Sequence, residues 1–209
     1  MSKKRIAVFV SGGGTNLQAL IDACRSGVID NGEIVCVLSS RDDAYALKRA
    51  EKAGIPTVTV ARKSYETSKL YDGAVLEAVG RYDVDLIVLA GFMSILGSEV
   101  IRRYENRIIN VHPSLIPSFC GKGFYGLRVH EAALNYGVKV SGATVHFVNE
   151  VTDGGAIIMQ KAVNVLNGDT PETLQRRIME EAEWQILPEA VSLFCDGKIR
   201  VENGKTIIE

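Results

Sequence analysis

Residues 5–26 read RIAVFVSGGGTNLQALIDACRS, and their order decides the fold class. Arg5–Val10 is a β-rich run and predicts a strand. Thr15–Ser26 carries Leu17, Leu20, Ile21 and Cys24 at helical spacing, with Gly27 as a stop. A glycine-rich turn, Ser11 to Asn16, joins the two. The same alternation continues outward. Glu33–Leu38 reads as a strand, Asp42–Ala53 as a helix closed by Gly54, Thr57–Val60 as a short strand, and Lys63–Tyr82 contains a helix. Asp85–Ala90 (DLIVLA) is almost continuously apolar, as a parallel strand covered on both faces should be. Strand–helix alternation of this kind means a parallel sheet with right-handed crossovers.

The second half departs from that pattern. Arg107–Val111 reads as a strand stopped by His112-Pro113. Ser114–Tyr125, with Pro117, Gly121 and Gly123, is a loop long enough to carry a function. Gly126–Tyr136 reads as a helix. Ser141–Val148 and Ala156–Val165 read as strands joined by Thr152-Asp153-Gly154-Gly155, an antiparallel pair. Asp169-Thr170-Pro171-Glu172 opens a long helix to about Asp196, capped by Thr170 or Asp169 with proline in the first turn. Lys198–Val201 and Thr206–Ile208 around Asn203-Gly204 predict a hairpin. No repeat or linker interrupts the chain. The expectation is one α/β domain over residues 1–209, a mostly parallel twisted sheet flanked by helices, with an antiparallel portion in the C-terminal half.

Composition narrows the function. The 209 residues are 46% hydrophobic and 23% charged, ordinary for a soluble globular protein. Lysine and arginine total 24 against 25 acidic residues, a balance that favours neither nucleic acid nor an anionic membrane as partner. The apolar run from Leu86 to Met93 is far short of the roughly 20 residues a membrane span needs. The basic start leads into an apolar stretch that ends at Ser11 with no cleavage site after it, which reads as a first strand and predicts a cytoplasmic protein. Cys24, Cys36, Cys120 and Cys195 are far apart and lack metal-ligand spacing, so no metal is expected. Cys120 alone falls in a loop.

Three motifs carry chemistry. Ser11-Gly12-Gly13-Gly14-Thr15-Asn16 lies between a strand and a helix, where glycines let backbone N–H groups approach an anion and the helix adds its positive end. It lacks the third glycine of a dinucleotide fingerprint and the lysine of a Walker loop, so a monophosphate fits better. Alternatively, it is a turn with Thr15 as a plain cap. Asn110 and His112 stand two apart and project to one face at a strand's carboxyl end, where open α/β sheets bind ligands. An imidazole there can exchange a proton near neutral pH, and an amide N–H can hold a developing oxyanion. Asp153 before two glycines is by default a turn residue, and becomes chemical only if its loop folds back toward His112. His146 shares a strand face with Thr144 and reads as a supporting or structural group. His130 reads as a surface or helix-packing residue.

Residues 10–23 (VSGGGTNLQALIDA), 88–96 (VLAGFMSIL), 110–117 (NVHPSLIP) and 144–155 (TVHFVNEVTDGG) closely resemble the phosphoribosylglycinamide formyltransferases, within the folate-dependent formyltransferase family. The resemblance runs from the first strand to the long C-terminal helix and implies a Rossmann-like formyltransferase fold. It implies formyl transfer from 10-formyltetrahydrofolate to the amine of glycinamide ribonucleotide in purine synthesis. Asn110 and His112 would be catalytic, with Asp153 keeping His112 protonated. Gly14, Thr15 and Asn16 would hold the ribonucleotide phosphate. Met93, Ser94, Ile95 and Leu96 would line the folate pocket with Asn110 and the loop of Asn149, Glu150, Val151, Thr152 and Asp153. Glu183 matches a substrate-contacting glutamate once one residue is inserted between Asp169 and Pro188. Ser94 and Ser68 stand where arginines are common, and the loop Phe119–Arg128 differs from the usual one.

The small-molecule partners implied are the ribonucleotide and folates, with the chain a monomer or homodimer. A methionyl-tRNA formyltransferase would be expected to add a C-terminal domain and a basic surface, and a formyltetrahydrofolate hydrolase an N-terminal regulatory domain. A non-catalytic nucleotide sensor would have no use for Asn110, His112 and Asp153 together.

Overall fold

The computed structural model describes residues 2–209. Its first half runs β1 (Lys4–Val10), α1 (Thr15–Ser26), β2 (Gly32–Ser39), α2 (Tyr45–Lys52), β3 (Thr57–Thr59), α3 (Ser68–Gly80), β4 (Leu86–Leu89) and α4 (Ser98–Arg103). Then come β5 (Ile108–His112), α5 (Leu127–Tyr136), β6 (Val140–Phe147), β7 (Ile157–Asn164), α6 (Pro171–Ile178), α7 (Trp184–Cys195) and a hairpin of β8 (Ile199–Glu202) and β9 (Lys205–Ile208). Seven strands form one sheet in the order β3-β2-β1-β4-β5-β6-β7. Strands β1 to β5 pair in parallel, and β5–β6 and β6–β7 pair antiparallel.

The apolar strands are continuous because both faces of the sheet are covered. In β1, Ile6, Val8 and Val10 enter the core shared with α1, α2, α6 and α7, while Ala7 and Phe9 enter the core on the α3 and α4 side. In β4, Leu86 and Val88 face the first core, and Ile87 and Leu89 the second. This is the period-two division of a strand between two layers. The chain leaves β1 toward β2 and β3, then returns on the other side of β1 as β4. The carboxyl ends of β1 and β4 therefore form the switch point at which such sheets open a ligand crevice.

Two features differ from the sequence reading. Helix α4 was not foreseen, because so short a helix shows little periodicity. Its start is held from a distance: the buried Asp72 carboxylate of α3 accepts the N–H groups of Gly97 (2.9 Å) and Glu99 (3.2 Å). The long C-terminal helix is interrupted by a π turn at Met179–Glu183, where the Trp184 N–H donates to the Met179 carbonyl five residues back. The Gln185 side chain adds a bond across the same turn, its Nε2 donating to the Glu180 carbonyl at 3.2 Å. A π turn absorbs an extra residue without ending a helix, and this one falls within the Asp169–Pro188 stretch. No helix among the described residues is long and apolar enough to cross a membrane.

Candidate active site

The loops after β1, β4 and β5, the β6–β7 turn and the π turn surround one cavity of about 950 Å³. That is at the upper end of the range of about 300–1,000 Å³ for small-molecule sites. Gly14, Thr15, Asn16, residues 93–96, Asn110, His112, residues 149–153 and Glu183 all line it. Residues far apart in the chain thus share one space.

At the β1 end, the Ser11 hydroxyl ties three strands together. It accepts the Met93 N–H at 2.8 Å and shares a hydrogen bond with the Ser40 hydroxyl at 2.6 Å. Gly14 precedes α1 in the left-handed region (φ 72°), and a Cβ there would lie 2.6 Å from Ala46 Cβ. Glycine is required at this position by backbone geometry and by the close approach of α2. The first N–H groups of α1 have no partner within the helix, as at any helix start. Asn16 Nδ2 donates to Glu183 Oε2 at 2.6 Å, and Asn16 Oδ1 is buried without a partner among the described residues. The π turn thus brings a carboxyl group and an unpaired acceptor together beside the glycine loop.

Burial pushes the Glu183 carboxyl up to about 7, partly opposed by the Asn16 hydrogen bond. The stability this group lends is fully present below its unfolded value near 4.5 and is lost as pH rises through about 7. The shift corresponds to about 3 kcal/mol between the two limits. Glu183→Gln should therefore raise the melting temperature more at pH 8 than at pH 5. Thermal unfolding of both proteins at the two pH values checks this. An equal change at both would mean that Glu183 does not titrate in that window.

At the β5 end, the backbone places the polar groups. Asn110 and His112 lie on one face of β5, opposite His146 and Thr144 of β6. His112 Nε2 lies 2.9 Å from the Phe119 carbonyl, to which it donates, and its Nδ1 lies 3.7 Å from Asp153 Oδ2. Asp153 has a left-handed backbone (φ 56°), and its Oδ2 accepts the Gly121 N–H at 2.7 Å. The turn does fold back toward His112. Gly155 lets it do so, since a Cβ there would fall 1.7 Å from the Phe147 carbonyl oxygen.

His146 contacts the site from β6. Its Nδ1 donates to the Phe147 carbonyl at 2.8 Å, which makes Nε2 an acceptor in the neutral ring. Burial lowers its affinity for a proton, in keeping with that neutral form. Asn110 Nδ2 donates to this Nε2 at 3.2 Å, and the second amide N–H remains for a ligand oxygen. His130 is fully buried and lines the cavity, and so does not lie on the surface. Neither ring nitrogen has a partner among the described residues, and burial, then the charge of His112, holds it down to about 4.

The partners of His112 and Asp153 in the 114–126 loop were missed by sequence reasoning, and no residue signal could have shown them. They are the carbonyl of Phe119 and the N–H of Gly121, backbone groups that every non-proline residue owns.

The family model for formyl transferase matches residues 4–191. A phosphoribosylglycinamide formyltransferase of Haemophilus influenzae is 41% identical over 99% of this chain and 94% of its own length. The crystal structure of glycinamide ribonucleotide transformylase 1 from Symbiobacterium toebii is 45% identical, with a TM-score of 0.92 covering 99% of this chain and 94% of that one. The trifunctional purine biosynthetic protein adenosine-3 of Bos taurus is 44% identical over 97% of this chain, which spans 20% of that protein's length.

Proposed function

The chain belongs to the formyl transferase family, and from that premise we propose that it moves a formyl group from 10-formyltetrahydrofolate to the amine of glycinamide ribonucleotide, in the cytoplasm, as a step of de novo purine synthesis. The observation that carries this reading is the one cavity shared by the glycine loop and first turn of α1 with Asn110, His112 and Asp153. The site fits a folate. Met93, Ile95 and Val151 expose 53%, 78% and 65% of their surface while lining the cavity, as apolar side chains do where a flat ring covers them.

The donor supplies an electrophilic formyl carbon. The amides of Gly14, Thr15 and Asn16 hold the ribonucleotide phosphate at the positive end of α1. Glu183 and Asn16 Oδ1 accept hydrogen bonds from the substrate and so orient its amine toward the formyl group. Asn110 offers its second N–H to the formyl oxygen as negative charge builds there. His112 has Nε2 occupied by the Phe119 carbonyl, so its working proton sits at Nδ1, beside Asp153. As the amine nitrogen bonds to the formyl carbon, Nδ1–H steadies the oxyanion. The ring gives this proton to the folate nitrogen as the bond between that nitrogen and the formyl carbon breaks, and Nδ1 then takes back a proton from the former amine nitrogen. The Asp153 carboxylate, 3.7 Å from Nδ1, places an opposite charge beside that working proton.

One assay tests the reading. With both substrates present, formylated ribonucleotide and tetrahydrofolate should appear in equal amounts. Formate released at the same rate without ribonucleotide would replace transfer by hydrolysis.

A further inference from the structure

The glycine loop is anchored from behind by α2. The Ala46 N–H donates to the Gly12 carbonyl at 3.0 Å, and Arg49 Nε donates to the Gly13 carbonyl at 2.9 Å. Arg49 Nη1 also donates to Gln18 Oε1 at 3.1 Å, and the guanidinium lies 5.3 Å from the centre of the Tyr45 ring. These three contacts include no carboxylate, so the charge of Arg49 is not cancelled at short range by any of them. Arg49 lines a separate groove on the outer side of α1, whereas Gly12, Gly13 and Gly14 line the cavity.

In a trans peptide the C=O and the following N–H point in opposite directions. Drawing the Gly12 and Gly13 carbonyls toward α2 turns the N–H groups of Gly13 and Gly14 away from α2, to the cavity side. Successive N–H groups turned to one side form an anion-binding concavity. We infer that Arg49 is a positioning residue for the ribonucleotide phosphate: it holds the Gly13–Gly14 peptide with its N–H toward the cavity and sets a positive charge behind the loop, without touching the ligand. This rests on the reading of the loop as the phosphate site.

The test compares glycinamide ribonucleotide with the riboside that lacks its phosphate, by calorimetric titration of the wild type, Arg49→Met and Arg49→Lys. The wild type should bind the ribonucleotide more tightly than the riboside. Arg49→Met should weaken ribonucleotide binding by about 10-fold and leave riboside binding near its starting value. Its KM for the ribonucleotide should rise more than its kcat falls. Arg49→Lys keeps the charge and can make one hydrogen bond to Gly13, so it should recover part of the loss.

Unchanged ribonucleotide binding in Arg49→Met, or equal weakening of both ligands, would overturn the inference. If Arg49→Met fails to fold, Arg49→Lys carries the same comparison, with a phosphate-specific loss supporting it and an equal loss or none overturning it. A wild type that binds both ligands equally well would instead overturn the phosphate site itself, so the two failures are distinct.

Discussion

Replacing Asn110 by alanine should lower kcat by about 10²–10³, roughly 2.7–4 kcal/mol, and leave the affinity for each substrate near its native value. The amide has one N–H engaged by His146 Nε2, and in the proposed mechanism the second meets the formyl oxygen. A donor that strengthens its bond only as the oxyanion forms contributes to the transition state and not to ground-state binding. The neutral His146 ring, locked by the Phe147 carbonyl, sets the direction of that amide. Asn110→Asp should be at least as damaging. It keeps the shape, sets a carboxylate against the developing charge, and faces the Nε2 lone pair of His146. Single-turnover kinetics separate these effects from product release. Near-native turnover in the alanine variant would mean that His112 or backbone N–H groups supply the oxyanion stabilisation without Asn110.

Asp153→Asn should cost about 10²–10⁴ in kcat at neutral pH, the range over which positioned acid–base groups act. The substitution is clean for two structural reasons. Asparagine tolerates the left-handed backbone found at residue 153. Its side-chain oxygen can still accept the Gly121 N–H, so the loop keeps its anchor. What disappears is the negative charge 3.7 Å from His112 Nδ1 and 3.8 Å from His146 Nε2. His112 Nδ1 then faces a neutral amide, and the positive charge it carries during proton transfer loses the carboxylate beside it. Steady-state kinetics check this, and a kcat within a few-fold of the wild type would reduce Asp153 to a turn residue that anchors the 114–126 loop.

The alternating strands and helices of the first half were legible because their cause is local. Ile6, Val8 and Val10 on one side, with Ala7 and Phe9 on the other, need only a strand covered on both faces, and the sequence carries that pattern unaided. Asn110 and His112 were legible as a pair because a spacing of two on a strand puts side chains on one face whatever the rest of the chain does. The glycine loop was legible as a turn between a strand and a helix, and the structure places it on the wall of the cavity. Tertiary structure alone decided the rest. Asp153 lies 41 residues beyond His112, and only the β6–β7 turn, closing on the Phe147 carbonyl at Gly155, brings the carboxylate back to the ring. The π turn that directs Glu183 onto Asn16 is a change in hydrogen-bond register inside a helix, which leaves no mark on side-chain chemistry. Phe119 and Gly121 act through backbone atoms, and His130 is buried by helix packing that its own segment does not announce. Local periodicity writes itself into residue order. Contacts between distant backbone and side-chain groups depend on where the chain returns, and that return is set by the packing of the whole sheet.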